Sequence, residues 1–236
     1  MAQWEIETKP YVVRISNSLH LLSVLEKVTA QLPKAPFDHE ISLEANLAFH
    51  AMLLARSSYV VVDQLFDNTG LLWSEGRMIG VSHLIRSAIE HRAVAHFCLT
   101  CIEEYSKSKN ISKLQEQISK LTMGAKTPIR LPWGDISSVE AYSVMKFIKL
   151  LGQQDQQVSQ DYDLLSEGTH TNLMQNSYFV MASKKYDNFS NETFKQHAHE
   201  LLDKHVSAIE RTANGMRIEI PSLFNCSLSM FIGSTS

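Results

Sequence analysis

Apolar side chains recur along most of this chain at three- and four-residue steps, the spacing that lines up one face of an α-helix. Ile15, Leu19, Leu22, Leu25 and Val28 follow it, so an amphipathic helix is expected over 15–32, closed by Pro33 and Pro36. A longer helix is expected from Asp38, as its N-cap, to Phe66, with Asp67-Asn68-Thr69-Gly70 as the stop. Residues 76–106 hold no proline, and their apolar side chains fall at nearly every helical bearing, which predicts a long helix buried on all sides. The short connection between these two makes them an antiparallel pair. Shorter helices are expected over 111–121, from Ser137 or Ser138 to Leu151, and over 158–183, then a long one over 191–214 that ends at Gly215. The two ends read differently. Residues 1–14 mix Trp4, Ile6, Tyr11, Val12 and Val13 with charge and Pro10 and predict an extended lead-in, whereas 216–236 alternates briefly and predicts an irregular tail or short strand. The fold class expected is therefore all-α: a single-domain bundle of about six helices over 15–215, with long central antiparallel helices and irregular or extended termini.

The central helix carries the chemistry. His83, Arg86 and Glu90 share one narrow strip of it, with His91, Arg92 and His96 elsewhere around its girth. An unpaired ion inside a core costs several kcal/mol or more, so such charges must be met by partners. Those partners are expected on a later helix, where Tyr162, Ser166 and His170 are spaced by four and stack along one face. Two readings of the resulting cluster stand side by side. In one, Arg86, Glu90, Tyr162, Ser166 and His170 form a structural network that satisfies a buried ion pair. In the other, Arg86 binds an anion and His170 moves a proton, with Glu90, Tyr162 and Ser166 as binding groups.

Composition narrows the partners. The 236 residues are 44% hydrophobic, ample for a core, and the net charge of −3 argues against a surface that is wholly a nucleic-acid or membrane footprint. Between Ser106 and Arg130, however, six basic side chains accompany one acidic group, Glu116. That stretch is either a solvated connection or an anion-facing patch for RNA or a phosphate. The first residues lack the pattern of a signal peptide, and no run approaches about 18 uninterrupted apolar residues, so no membrane span is expected. Three cysteines suit a reducing cytoplasm, and Cys98 and Cys101 read as small core residues. Glu167-Gly-Thr-His170 is a single copy of an element that di-iron bundles use twice, so no metal or other cofactor is expected.

Two resemblances attach to these residues. The pairing of Arg86-x-x-x-Glu90 with Tyr162-x-x-x-Ser166-x-x-x-His170 resembles a widespread family of all-helical bacterial proteins of unsettled function, over roughly residues 40–182. More distantly, Arg86-Ser-Ala-Ile-Glu-His91 is similar to the Arg, four to six residues, His motif of HEPN domains, and Arg77-Met-Ile-Gly-Val-Ser-His83 also fits that range. HEPN domains are helical bundles found in toxin, anti-phage and RNA-cleaving proteins. The likeness implies RNA or a nucleotide as partner and a homodimer with sites formed between protomers. It also implies catalytic roles for Arg86 and His91, the arginine holding a phosphate and the histidine serving as acid or base.

Overall fold

The computed structural model describes residues 9–33, 41–75, 77–122, 124, 129–130, 136–137, 139–169 and 192–235. Among them are seven helices: α1 (Lys9–Thr29), α2 (Leu43–Ser74), α3 (Met78–Ser108), α4 (Ile111–Thr122), α5 (Val144–Gln154), α6 (Gln156–Thr169) and α7 (Glu192–Thr235). A two-residue ribbon, β1 (Ile129–Arg130) antiparallel to β2 (Ile136–Ser137), sits between α4 and α5. The all-α bundle with long central helices is what the hydrophobic spacing led us to expect.

Helix α3 is the hub, packing against α2, α4, α5, α6 and α7. Val81, Ile85, Ala88, Ile89, Ala93, Ala95 and Cys98 on it are all but inaccessible to solvent. Glu44 at the start of α2 and Tyr105 near the end of α3 wall the same cavity, and only residues 75–77 join the other ends, so the two helices run antiparallel. Ser42 caps α2, its hydroxyl accepting the Ala45 N–H at 3.1 Å. Asp38, the expected cap, lies outside the described residues. The expected stop at Asp67 to Gly70 does not operate, and α2 continues to Ser74. One helical Gly costs about 1 kcal/mol. Burying Trp73, 1% exposed and 5.7 Å from the Tyr11 ring, outweighs it. By length and composition α2 could cross a membrane, although 56% of its most apolar 18-residue window is buried in the bundle.

Both expected termini need correction. Residues 9–14 are helical, not extended; Pro10 falls in the first turn of α1, where its missing N–H removes no helical bond. The irregular tail expected over 216–236 is instead the second half of α7, which passes through Gly215 and Pro221 to Thr235. Met216, Ile220, Leu223, Phe224 and Ser227 are buried at helical spacing and continue the stripe begun by Leu202, Val206 and Ile209.

A second reason for that continuation is electrostatic. Arg92, on α3 and 5% exposed, donates from Nε at 3.1 Å and from Nη2 at 3.0 Å to the carboxylate of Glu219 on α7. It also donates from Nη1 to Asp155 at 3.3 Å, between α5 and α6. Gly215 makes room for it: a Cβ there would stand 2.1 Å from Cζ and Nε of Arg92. On helix propensity alone Gly215→Ala would gain about 1 kcal/mol. Displacing a guanidinium from charge-assisted hydrogen bonds worth about 1.5–3 kcal/mol each should win. We therefore expect a net loss of about 1–3 kcal/mol by urea denaturation; a stabilised variant would show that Arg92 moves freely.

Candidate functional site

Helices α3 and α6 pack together where Glu90 meets Tyr162. Arg86 and Glu90 are one turn apart on α3, and Arg86 Nε donates to Glu90 Oε1 at 3.2 Å. Tyr162, on α6 and 3% exposed, completes a triangle: its hydroxyl donates to Glu90 Oε1 at 2.9 Å and accepts from Arg86 Nη2 at 3.0 Å. The guanidinium carbon also stands 5.0 Å from the centroid of the Tyr162 ring, within cation–π range. Helix α6 can offer Tyr162 because Val158, Asp161, Tyr162 and Leu165 form its buried face.

The triangle holds Arg86 charged and Tyr162 neutral. Burial works against the charge on Arg86, but the Tyr162 hydroxyl and Glu90 outweigh it and push its pKa above the ordinary value. Burial, and the hydrogen bond to Glu90, push the Tyr162 phenol up. Ser166, one turn beyond Tyr162, is half-buried. His170 lies outside the described residues.

His91 does not join this group. The helix is regular through both residues, so Arg86 and His91 project about 140° apart. Burial pushes the His91 pKa down, with Glu90 opposing, which leaves the ring neutral near pH 7. Of the second motif match, Arg77 pairs with Glu75 at 2.8 Å and His83 is exposed. Cys98 and Cys101 are buried and their thiols pushed up, Cys101 to about 12, chiefly by burial, as inert core residues would be.

Most of the polar contacts between helices, buried and exposed, were not legible in the sequence. Arg92 is engaged by Glu219 and Asp155, and His96 Nδ1 stands 3.6 Å from Glu219 Oε1, too long for a hydrogen bond but close enough to pair. Burial pushes the Glu219 carboxyl up, yet His96 and Arg92 prevail and hold it below its usual range. Arg211 grips Asp161 at 2.5 and 2.7 Å, and Arg14 reaches Glu210 at 2.7 Å and Asp203 at 2.6 Å. Ser82 meets His205 Nε2 at 2.8 Å. The one advance signal was the i,i+4 spacing of Arg92 and His96; their carboxylate lay in a stretch expected to be irregular.

Two arginines on one helix are thus solved differently. Among the described residues, Arg92, with 6% of its side chain exposed, pairs with the carboxylates of Glu219 and Asp155, whereas Arg86, with 29% exposed, pairs with Glu90 and meets the Tyr162 phenol. Removing the phenol's oxygen tests that clasp. Tyr162→Phe should destabilise by about 1 kcal/mol, less than the roughly 1.5–3 kcal/mol of buried hydrogen bonds to charged groups because water can reach the exposed flank. The urea midpoint measures it, and an unchanged midpoint would mean the hydroxyl contributes nothing to stability.

A cavity of about 650 Å³ lies between α3 and α7 and includes Tyr105, Cys226 and Met230. Its α3 residues begin at Ile102, about 24 Å along the helix from Arg86. Compared with protein-family models, curated proteins and solved structures, the chain matches none of them.

Proposed function

We propose that the protein acts on RNA or a nucleotide at the junction of α3 and α6, as an HEPN-like helical protein of the toxin or phage-defence type. The observation that carries the reading is the contrast between the two arginines. Arg86 is oriented by Tyr162 and Glu90 yet remains partly open to solvent, as a phosphate-holding group must be. Its chemistry would be metal-independent transesterification. A histidine takes the ribose 2′-hydroxyl proton, the 2′-oxygen attacks the adjacent phosphorus, and the 5′-oxygen leaves with a proton, giving a cyclic phosphate and a 5′-hydroxyl. Arg86 faces the charge that develops on the phosphoryl oxygens. His170 follows Tyr162 and Ser166 at four-residue spacing and is the first candidate for proton transfer; His91, neutral near pH 7 but on another side of α3, is the second. A homodimer and a reducing, cytoplasmic setting belong to the same proposal.

A second reading is favoured by the closure of the triangle. Arg86 Nε and Nη2 already bond Glu90 and Tyr162, so the guanidinium is neutralised at close range and serves as a clasp between helices in a non-catalytic ligand-sensing or interaction module. One experiment separates the two. The purified protein is incubated with total RNA in chelator, beside Arg86→Ala, Arg86→Lys, His91→Ala and His170→Ala, and each variant's thermal unfolding is followed in parallel. Cleavage by the parent that Arg86→Ala or Arg86→Lys removes from a folded protein supports the nuclease. Cleavage that survives both Arg86→Ala and His91→Ala, or an inactive parent whose variants lose only stability, leaves the clasp.

A further inference from the structure

Three carboxylates lie near one another where α1 meets α2: Glu26 in the last turn of α1, and Asp63 and Asp67, one turn apart on α2. None of them is in an ion pair among the described residues. Burial first, and then the charges of Asp67 and Glu26, push the Asp63 carboxyl above its ordinary range. Like charges are thus held together at a cost that none of the described residues relieves. Glu26 and Asp63 line a cleft of about 280 Å³ together with Arg56, Tyr59 and Val60. Tyr59 gives that cleft a second feature. It is 6% exposed, yet its hydroxyl has no hydrogen-bond partner among the described residues, where a buried phenol usually finds one. After burial, Asp63 and Glu26 are the groups that raise its pKa, which puts the phenol oxygen on their side of the cleft. The last turn of α1 is also the negative end of that helix's dipole and favours a cation.

We propose that this cleft binds the terminal ammonium of a linear aliphatic polyamine, its three N–H donors taken by Glu26, Asp63 and the Tyr59 hydroxyl. The number of donors selects the class. A primary ammonium carries three N–H groups, and three acceptors without partners face the cleft. A bare metal ion fits less well, because hard cations want about six oxygen ligands and no three Asp, Glu, His or Cys side chains among the described residues are gathered closely enough to ligate one. Val60, 39% exposed, offers its methyl groups to the methylene chain. Asp67, one helical turn past Asp63 and so about 5–6 Å from it between Cβ atoms, is placed for the next amino group. Arg56 opposes the ligand. It is the one cation among the described lining residues, and against the three carboxylates it leaves two negative charges uncompensated. The inference rests on α1 and α2 alone and stands whether or not Arg86 meets a phosphate.

The full chain is titrated with spermidine by calorimetry near neutral pH. Saturable binding with a Kd on the order of 100 μM is expected. Asp63→Asn should weaken it about tenfold and Tyr59→Phe about threefold. Because Asp63→Asn relieves repulsion in the folded chain, its thermal unfolding should come no earlier than the parent's, and its lost affinity is then not a lost fold. Arg56→Gln should tighten binding about threefold, a gain that damage to the fold would not give. Putrescine is compared with its bis-quaternary analogue, which bears three methyls on each nitrogen and so keeps both charges without any N–H. The analogue should bind at least about tenfold more weakly. A chain that takes up no spermidine, Asp63→Asn and Tyr59→Phe variants that bind it as the parent does, or weaker binding by Arg56→Gln would each overturn the proposal. So would an analogue that binds as tightly as putrescine, which would leave a diffuse acidic field in place of a site.

Discussion

Arg92→Ala should be among the most damaging single substitutions in this protein, with a loss of about 3–5 kcal/mol, because it strands a buried carboxylate instead of merely deleting a contact. Glu219 has 9% of its side chain exposed and, among the described residues, would keep only His96, at 3.6 Å. Asp155, at 30%, can turn to water and adds little. At roughly 2–4 °C per kcal/mol for a chain of this size, the melting temperature should fall by about 6–20 °C. Removing both charges tells a different story: Arg92→Met with Glu219→Leu should recover most of the loss, since replacing a buried ion pair by apolar side chains of similar volume is often neutral. A loss below about 1 kcal/mol for Arg92→Ala would mean that Glu219 is reached by water. Acidity offers a check on the same pair. The folded pKa of Glu219 lies below its ordinary value, so its contribution is present above about pH 4.5 and disappears as pH falls through the folded value. Arg92→Ala should flatten that acid limb.

Stability should also fall between about pH 6.5 and 4, on account of His205. Burial is the main cause of a pKa lowered to about 4, the hydrogen bond to the Leu201 carbonyl opposing it. That carbonyl, 2.7 Å from Nδ1, can only accept, so Nδ1 carries the proton and Nε2 accepts from the Ser82 hydroxyl at 2.8 Å. The imidazole is held neutral while the unfolded chain takes up a proton near pH 6.5. The unfolded state therefore binds more protons throughout that window, and stability is complete above it and lost on the way down. The interval corresponds to about 3 kcal/mol. His50 and His91, also lowered by burial, add slope of the same sign, so the comparison must be with a variant. His205→Gln can keep both hydrogen bonds and cannot titrate. Urea unfolding at pH 7.5 and at pH 4.5 should show a markedly smaller difference for it than for the parent, and equal differences would remove His205 as the cause.

How far these features could be read in advance depends on how local their cause is. The hub helix, the bounds of α4 and the meeting of Arg86 and Glu90 with Tyr162 all follow from side-chain spacing within one helix and the need to neutralise a charge in an apolar rod. The failures sit at turn signals. Asp67 to Gly70 and Asn214-Gly215 are good local stops, yet both lie inside helices. A helical glycine loses about 1 kcal/mol. Burying Met216, Ile220, Leu223 and Phe224 returns about 1.5–3 kcal/mol for each, so the longer helix wins. That extension then sets Glu219 beside Arg92, a pairing across 127 positions that no local pattern announces.

By itself, then, the sequence determined which segments coil, which faces of them turn inward and that the charges of the central helix need company, because each of these is decided within a few residues. Which charge meets which, and which glycine ends a helix or admits an arginine, was left to the tertiary structure. Those outcomes are settled by comparing burial and Coulomb gains among segments far apart in the chain, and such comparisons have values only once the segments are packed together.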